Sequence, residues 1–370
     1  MTGNSPKLYI AGMGMVTPVG GNVAMTAAAV NAGISAYKDS PYYTQQSTPI
    51  TMAQVPTEIF AGLEAEIDEG DFYNEQHDHI IKMAIIAVRE ACSEQSITEP
   101  IPMILAMPEV EPDVDYLNSK QLIRNLTNNC APWVSTALSR SISSGRAAGM
   151  DSIEFAFNYL YDLPYDFLLV GGSDSHCNYS RLRPLDNAGR LLTIGSADSF
   201  APGEGASFLL LTRHLELAQV RGGHVVALSR PGIVDEPGHL GSEEPYRGDG
   251  LDQAFKKAII DQPEESVHSI YSSMNGENHW AKEYGVAFLR NRKIFKNPIG
   301  FKHPADCYGD LGSATATTLI ALAAENLFKN INANSHLVYS SSDTAKRGAI
   351  VLEKITLTPK TQPCPHTGNF

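Results

Sequence analysis

The chain has 370 residues, 43% of them apolar, which is about two domains' worth of length and enough for a sizeable core. A formal net charge of −13 disfavours nucleic acid and anionic membrane, both polyanions, and leaves neutral or basic partners. Five cysteines, odd in number and without a CxxC pair, suggest neither a disulfide framework nor a zinc site, and the polar start Met1 to Lys7 lacks the basic-then-apolar order of a signal peptide. The longest apolar runs fall far short of a membrane span, so a soluble cytoplasmic protein with reduced thiols is expected.

Strand-like runs fall at residues 8–12, 103–106, 167–170, 206–211, 224–228, 269–272, 337–339 and 349–352. Helical spacing lies between them, with Met150, Ile153, Phe157 and Leu160 on one face, and Leu319, Leu322, Ala323 and Leu327 on another. Strands alternating with helices predict an α/β chain with largely buried sheets. Acidic stretches at 66–79 and 109–115 read as solvated cap loops, the Gly- and Pro-rich 231–250 as a connector, and 356–370, with three prolines, as a tail. A small-residue turn followed by a helix occurs at 143–160 and again at 309–327, an echo expected of two similar halves.

Several motifs carry a tempting chemistry and a plainer structural reading. The run Gly12-Met13-Gly14 follows a strand, but Thr17 stands where a dinucleotide fingerprint needs its third glycine, so no such site is expected. Gly171-Gly172-Ser173-Asp174-Ser175 lacks the glycine that a nucleophile elbow needs two residues after the serine, and reads as a tight turn. His77-Asp78-His79 has no third ligand at metal-binding spacing and reads as surface histidines, while Met13, Met15 and Met25 read as core filler. No cofactor and no metal site are expected.

The segments Ile10 to Gly20, Gly171-Gly172, Arg183-Pro184-Leu185-Asp186 and Ser199-Phe200-Ala201-Pro202-Gly203-Glu204-Gly205-Ala206 resemble, in order, framework motifs of the beta-ketoacyl-acyl carrier protein synthases of the thiolase fold. The resemblance runs over roughly residues 8–353. It implies an α/β, thiolase-like architecture of two pseudo-repeated halves in a five-layer αβαβα sandwich. The halves are placed at 1–228, with cap insertions near 37–80 and 107–130, and at 229–355, followed by the tail 356–370.

The same resemblance implies where catalytic groups would stand, and each position departs from the pattern. The nucleophilic cysteine of those enzymes, at a helix N-terminus, is matched to Ile142 in Arg140-Ser141-Ile142-Ser143-Ser144-Gly145, which can neither ionise nor carry an acyl group. The first histidine is matched to Asn275, which donates hydrogen bonds but cannot act as acid or base near neutral pH. The second is matched to Asp310, whose negative charge opposes a developing enolate. The glycine loop that supplies an oxyanion donor is replaced by Ser340 to Gly348. Polar framework is matched at Glu283 and Lys302, a residual pocket is expected around Ile142, Phe200, Asn275 and Cys307, and Glu204 is expected to accept buried hydrogen bonds.

No catalytic residues are therefore expected. The resemblance implies a homodimer, or a heterodimer with a thiolase-fold homologue, in which this chain is a noncatalytic partner, adaptor or scaffold subunit; an acyl carrier protein or a cargo protein is a further possible partner. Two rivals remain open. One is a divergent acyltransferase or decarboxylase on acyl thioesters using Ser141, Ser143 or Cys307, and the other is a cargo or effector-binding adaptor that reuses the fold.

Overall fold

Apolar runs too short for helices and bounded by Gly, Pro and polar residues pair into a large mixed sheet, and the longer periodic segments cover it. The computed structural model describes residues 5–67, 75–110 and 118–357. In chain order the elements are β1 (Leu8–Val16), α1 (Val23–Asn31), β2 (Lys38–Tyr43), β3 (Pro49–Met52), α2 (Glu75–Cys92), β4 (Met103–Met107), α3 (Ser119–Asn129), β5 (Arg140–Ser143), α4 (Ala148–Asp162), β6 (Leu168–Ser175) and α5 (Tyr179–Asn187). There follow β7 (Glu204–Thr212), β8 (His224–Leu228), β9 (Gly232–Asp235), α6 (Asp249–Ala258), β10 (Val267–Ser272), α7 (Asn278–Arg290), β11 (Phe295–Lys302), α8 (Ala305–Tyr308), α9 (Thr315–Lys329), β12 (Ser335–Ser341) and β13 (Lys346–Thr356).

The sheet order is β11-β10-β12-β13-β8-β1-β7-β6-β4-β5, with β9 beside β13 and the β2–β3 hairpin apart. Its two sides repeat one pattern. In the first, β1 runs antiparallel to β7 and β7 antiparallel to β6, while β6, β4 and β5 run parallel. In the second, β8, β13, β12, β10 and β11 reproduce those relations in the same order. The strands of the two sides join where Leu8 faces Leu228 and Tyr9 faces Ala227. Counted by topology, β8 is the counterpart of β1, so the repeat starts at His224, inside the range first given to the leading half.

Helices α4 and α9 lie between the two sides of the sheet, α2 and α3 cover the first side, and α6 and α7 cover the second, which gives five layers. The position of α9 explains its composition. A helix enclosed by two sheets has no polar face to keep, and Ala316, Leu319, Ile320, Ala323 and Leu327 all point into apolar surroundings.

Some sequence expectations are corrected here. Gly171 to Ser175 is not a tight turn but the buried end of β6, where two glycines let β7 and the turn before α9 pack closely. His77 and His79 belong to α2 rather than to an acidic loop: His77 is buried and His79 faces Glu204 at 3.3 Å. Met13 and Met15 are core residues, but Met25 is 55% exposed on α1. The connector contains β9, and Thr356 of the expected tail ends β13 opposite His224. The remainder of the tail, and much of both acidic segments, lie outside the described residues. Among the described residues no helix is long and apolar enough to cross a membrane, and no group of His, Cys, Asp and Glu could hold a metal ion.

Candidate functional site

The two turn-plus-helix units meet at the centre of the molecule. In the first, β5 ends at Ser143 and a short 3-10 turn, Gly145 to Ala147, leads into α4. Gly145 has φ +63°, and a Cβ there would lie 2.8 Å from the Glu109 side chain, so the turn needs glycine. This turn puts Arg146, 5% exposed, at the start of the central helix. In the second unit, Gly309 and Gly312 (φ +78° and +54°) bracket Asp310 ahead of α9. The Asp310 main chain is fixed by Gly203 N–H to its carbonyl at 3.0 Å and by its own N–H to Ala201 O at 2.9 Å.

Arg146 and Asp310 form a buried ion pair, Nη1 to Oδ2 at 3.0 Å. Asn275, following β10, donates from Nδ2 to the same Oδ2 at 2.8 Å, and Gly312 N–H donates to Oδ1 at 2.9 Å. His176 Nε2 lies 3.6 Å from Oδ1. The other guanidinium nitrogen of Arg146 reaches Asp343, in the loop between β12 and β13, at 2.6 Å. Asp343 also takes Arg190 at 2.6 Å, and Arg190 closes the network on Glu277 at 2.7 Å. Trp280 donates to Glu277 at 3.0 Å while the Arg146 guanidinium lies 4.2 Å from its ring centroid.

A cation at a helix N-terminus opposes the macrodipole, so Arg146 depends on these carboxylates for compensation. They are held ionised in return. Burial alone would raise the Asp310 pKa, but Arg146, His176 and Asn275 outweigh it and hold the carboxyl well below its ordinary range. Asp343 is likewise lowered against its burial by Arg146 and Arg190. Arg190 is raised, because its bonds to Glu277 and Asp343 outweigh desolvation.

Serines at the end of β12 and in the loop that follows lock this centre from behind. Ala147 N–H donates to Ser342 Oγ at 2.9 Å, and Ser342 in turn donates to Ser144 O. Ser340 Oγ donates to Arg146 O at 2.7 Å. An amide at the helix start that could have faced a ligand is therefore taken by a side chain of the same protein. The cavity beside Arg146, Asp310, His176, Arg190 and Phe200 has a volume of about 40 Å³. That is water-sized space, against roughly 300–1,000 Å³ for ordinary ligand pockets.

Of the residues singled out from sequence, Asn275 and Asp310 meet in this network and Phe200 walls it. Ile142 does not. It sits four residues before Arg146 on β5, opposite Ala106, and packs against the core between the sheets. The residue that the fold places at the helix start is Arg146. Cys307 is buried in that same core away from the cavity, its thiol pushed up by burial and by Asp306. Ser141 and Ser143 are exposed on β5. Glu283 pairs with the fully buried Arg347 and accepts from Ser341 Oγ at 2.6 Å, whereas Lys302 ends β11 beside Tyr271 and makes no ion pair among the described residues. Glu204 accepts from Val55 N–H at 2.9 Å and Ser175 Oγ at 2.8 Å, as its motif suggested. Arg190, His176, Glu277 and Asp343 were missed; the one available signal was the Ser144-Gly145-Arg146 turn immediately before the helical period.

No protein-family model matches the chain, and no curated protein matches it in sequence. Solved structures do. One described as the ishigamide ketosynthase/chain length factor is 16% identical, with TM-score 0.74, 95% of this chain and 99% of that chain covered. A type II PKS acyl-carrier protein in complex with its ketosynthase bound to the hexaketide gives 15% identity, TM-score 0.74 and coverage of 95% and 100%. The ketosynthase from module 6 of the bacillaene synthase from Bacillus subtilis 168 gives 13% identity, TM-score 0.72 and coverage of 95% and 72%. The chain thus has the thiolase-like fold of ketosynthases.

Proposed function

We propose that this chain is a noncatalytic ketosynthase-like subunit that acts as partner, adaptor or scaffold beside a second thiolase-fold chain in the cytoplasm. The observation that carries the reading is the Arg146–Asp310–Asn275 cluster, tied to Asp343, Arg190 and Glu277. Condensation needs a nucleophile, proton-handling groups and free oxyanion donors around space for an acyl chain. Here those places hold a guanidinium, an amide, a carboxylate and a serine-capped loop. A divergent acyltransferase would need Ser141, Ser143 or Cys307 beside a base and a substrate cavity, and none of the three lines the central cavity.

Pairing is supported by the free edge of β5. This strand ends the sheet, so among the described residues its outer N–H and C=O groups have no strand partner, and Phe155 and Tyr161 on α4 are 41% and 43% exposed. One solved neighbour is described as a ketosynthase/chain length factor and another as a ketosynthase with its carrier protein, which makes a thiolase-fold chain or a carrier protein the natural candidates.

Intact-mass spectrometry after incubation with malonyl and acyl thioesters tests the inactive site: no adduct is expected, and a covalent acyl mass would sink the proposal. Native mass spectrometry of the protein from its own host tests the pairing. A thiolase-fold heterodimer or a homodimer that dissociates when Ser141 and Ser143 become lysine is expected, while an obligate monomer would remove the partner role.

A further inference from the structure

At the opposite end of the sheet from β5, strand β11 carries charge of the wrong sign for this chain. Residues 290–303 contain Arg290, Arg292, Lys293, Lys296 and Lys302 and no acid, in a protein of net charge −13. Arg290 is paired with Asp249 at 2.7 Å. The other four make no ion pair among the described residues. Burial and then Lys296 hold His268 below its ordinary pKa, and burial and then His268, with smaller parts from Lys354 on β13 and Lys302, bring His336 down to about 3.

Lysines on an edge strand can simply block strand addition. Here that task is already met, because the ladder breaks between Val267/Phe295 and Ser269/Gly300, and exposed Pro298 lies in the break. Further unneutralised like charges only add repulsion unless a partner supplies the opposite sign. The helix that leads into this strand also exposes an apolar residue. Leu289, at the end of α7, is 69% exposed, and the strand beneath is stiffened by Phe288 on Phe295 (5.2 Å) and Tyr284 on Phe301 (4.5 Å). Unpaired cations on a rigid base suit a protein surface of complementary charge.

We propose that the outer edge of β11 docks an acidic protein, whose carboxylates meet Lys293, Lys296 and Lys302. Nucleic acid suits the site less, since its charge would also face the rest of a strongly acidic chain. The surface is distinct from β5, so it can be occupied while a thiolase-fold partner is bound, and it does not depend on the inactive centre.

The test uses the full chain, a labelled 20-residue oligoglutamate peptide and a 20-base-pair DNA duplex. The peptide is expected to bind with an affinity that falls steeply with salt. It should weaken at least tenfold in the triple variant K293E/K296E/K302E and less than twofold in K38E/K120E/R183E, which changes net charge equally. No peptide binding at low salt, equal loss in both triple variants, or DNA binding as tight as the peptide would each overturn the proposal. So would sedimentation showing wild-type self-association that the K293E/K296E/K302E variant abolishes, because the occupant would then be a second copy. Should the triple variant misfold, the exposed single change Lys296→Glu must still weaken the peptide about threefold.

Discussion

Replacing Arg146 by alanine isolates the ion-pair centre. The substitution removes a guanidinium that reaches Asp310 at 3.0 Å and Asp343 at 2.6 Å and lies over Trp280 at 4.2 Å. Breaking a buried pair from one side costs roughly 3–5 kcal/mol. Neither carboxylate is left wholly unpartnered: Asp343 keeps Arg190 at 2.6 Å, and Asp310 keeps Asn275 at 2.8 Å and Gly312 N–H at 2.9 Å. This places the electrostatic loss near the lower limit, about 3 kcal/mol. The lost stacking on Trp280 adds about 1 kcal/mol. Arg146→Ala is thus expected to cost about 4 kcal/mol, summing those two contributions. Neutralising the other partner, Asp310→Asn, relieves the charge that Arg146→Ala exposes, so the double variant should be more stable than the sum of the singles by about 1.5–3 kcal/mol. Urea unfolding followed by circular dichroism measures all four corners of the cycle. A loss below about 1 kcal/mol for Arg146→Ala, or additivity within about 0.5 kcal/mol, would refute the idea that the network holds the centre together.

Arg146→Cys puts a thiol at the helix start but leaves it facing Asp310 and Asp343, so it is expected to stay protonated and take no acyl group; an acyl-enzyme mass from this single change would show that the neighbouring groups still support acyl transfer. Gly145→Ala forces a side chain into φ +63° and against Glu109, at an expected cost of about 1–3 kcal/mol, and an unchanged unfolding midpoint would contradict the described turn. Glu90 accepts from Met15 N–H at 2.9 Å and Val23 N–H at 3.1 Å, yet burial outweighs these bonds and raises its pKa from 4.5 to about 6. The folded state therefore holds this proton more tightly than the unfolded chain. Its contribution is complete below pH 4.5 and is lost as pH rises through about 6. The stability difference between wild type and Glu90→Gln should shift by about 2 kcal/mol across that window, whereas a pH-independent difference would count against the assignment.

The sequence made the framework more legible than the centre, for a physical reason. Buried strands such as β4, β6, β7 and β12 contain uninterrupted apolar stretches, and α4 and α9 carry clear helical spacing. The strands that escaped notice, β2, β3, β5, β9 and β11, are short, polar or at edges, and half-solvated backbone leaves little pattern. At the site, Asn275 and Asp310 were found because each sits in a glycine turn after a matched element. The sequence pointed to Ile142 and not to Arg146, because a short polar stretch before a helix fixes register poorly. Asp343 and Arg190 come from loops distant in sequence, where only the fold reveals that they meet.

The charges of the central network depend on one another. Arg146 is unfavourable at a helix start without Asp310 and Asp343, and Asp310 is unfavourable when buried without Arg146 and Asn275. Asp343 in turn engages Arg190, whose other side is taken by Glu277. Restoring a thiol alone would leave buried carboxylates short of a cation, and restoring a histidine at residue 310 alone would set it beside a buried guanidinium with its carboxylate gone. Each single step is costly while the others remain. On the noncatalytic reading proposed above, building a condensing centre here would take several coordinated substitutions, together with loss of the Ser342 bonds that occupy the Ala147 amide. The central network is thus held as a unit, each charge depending on the others.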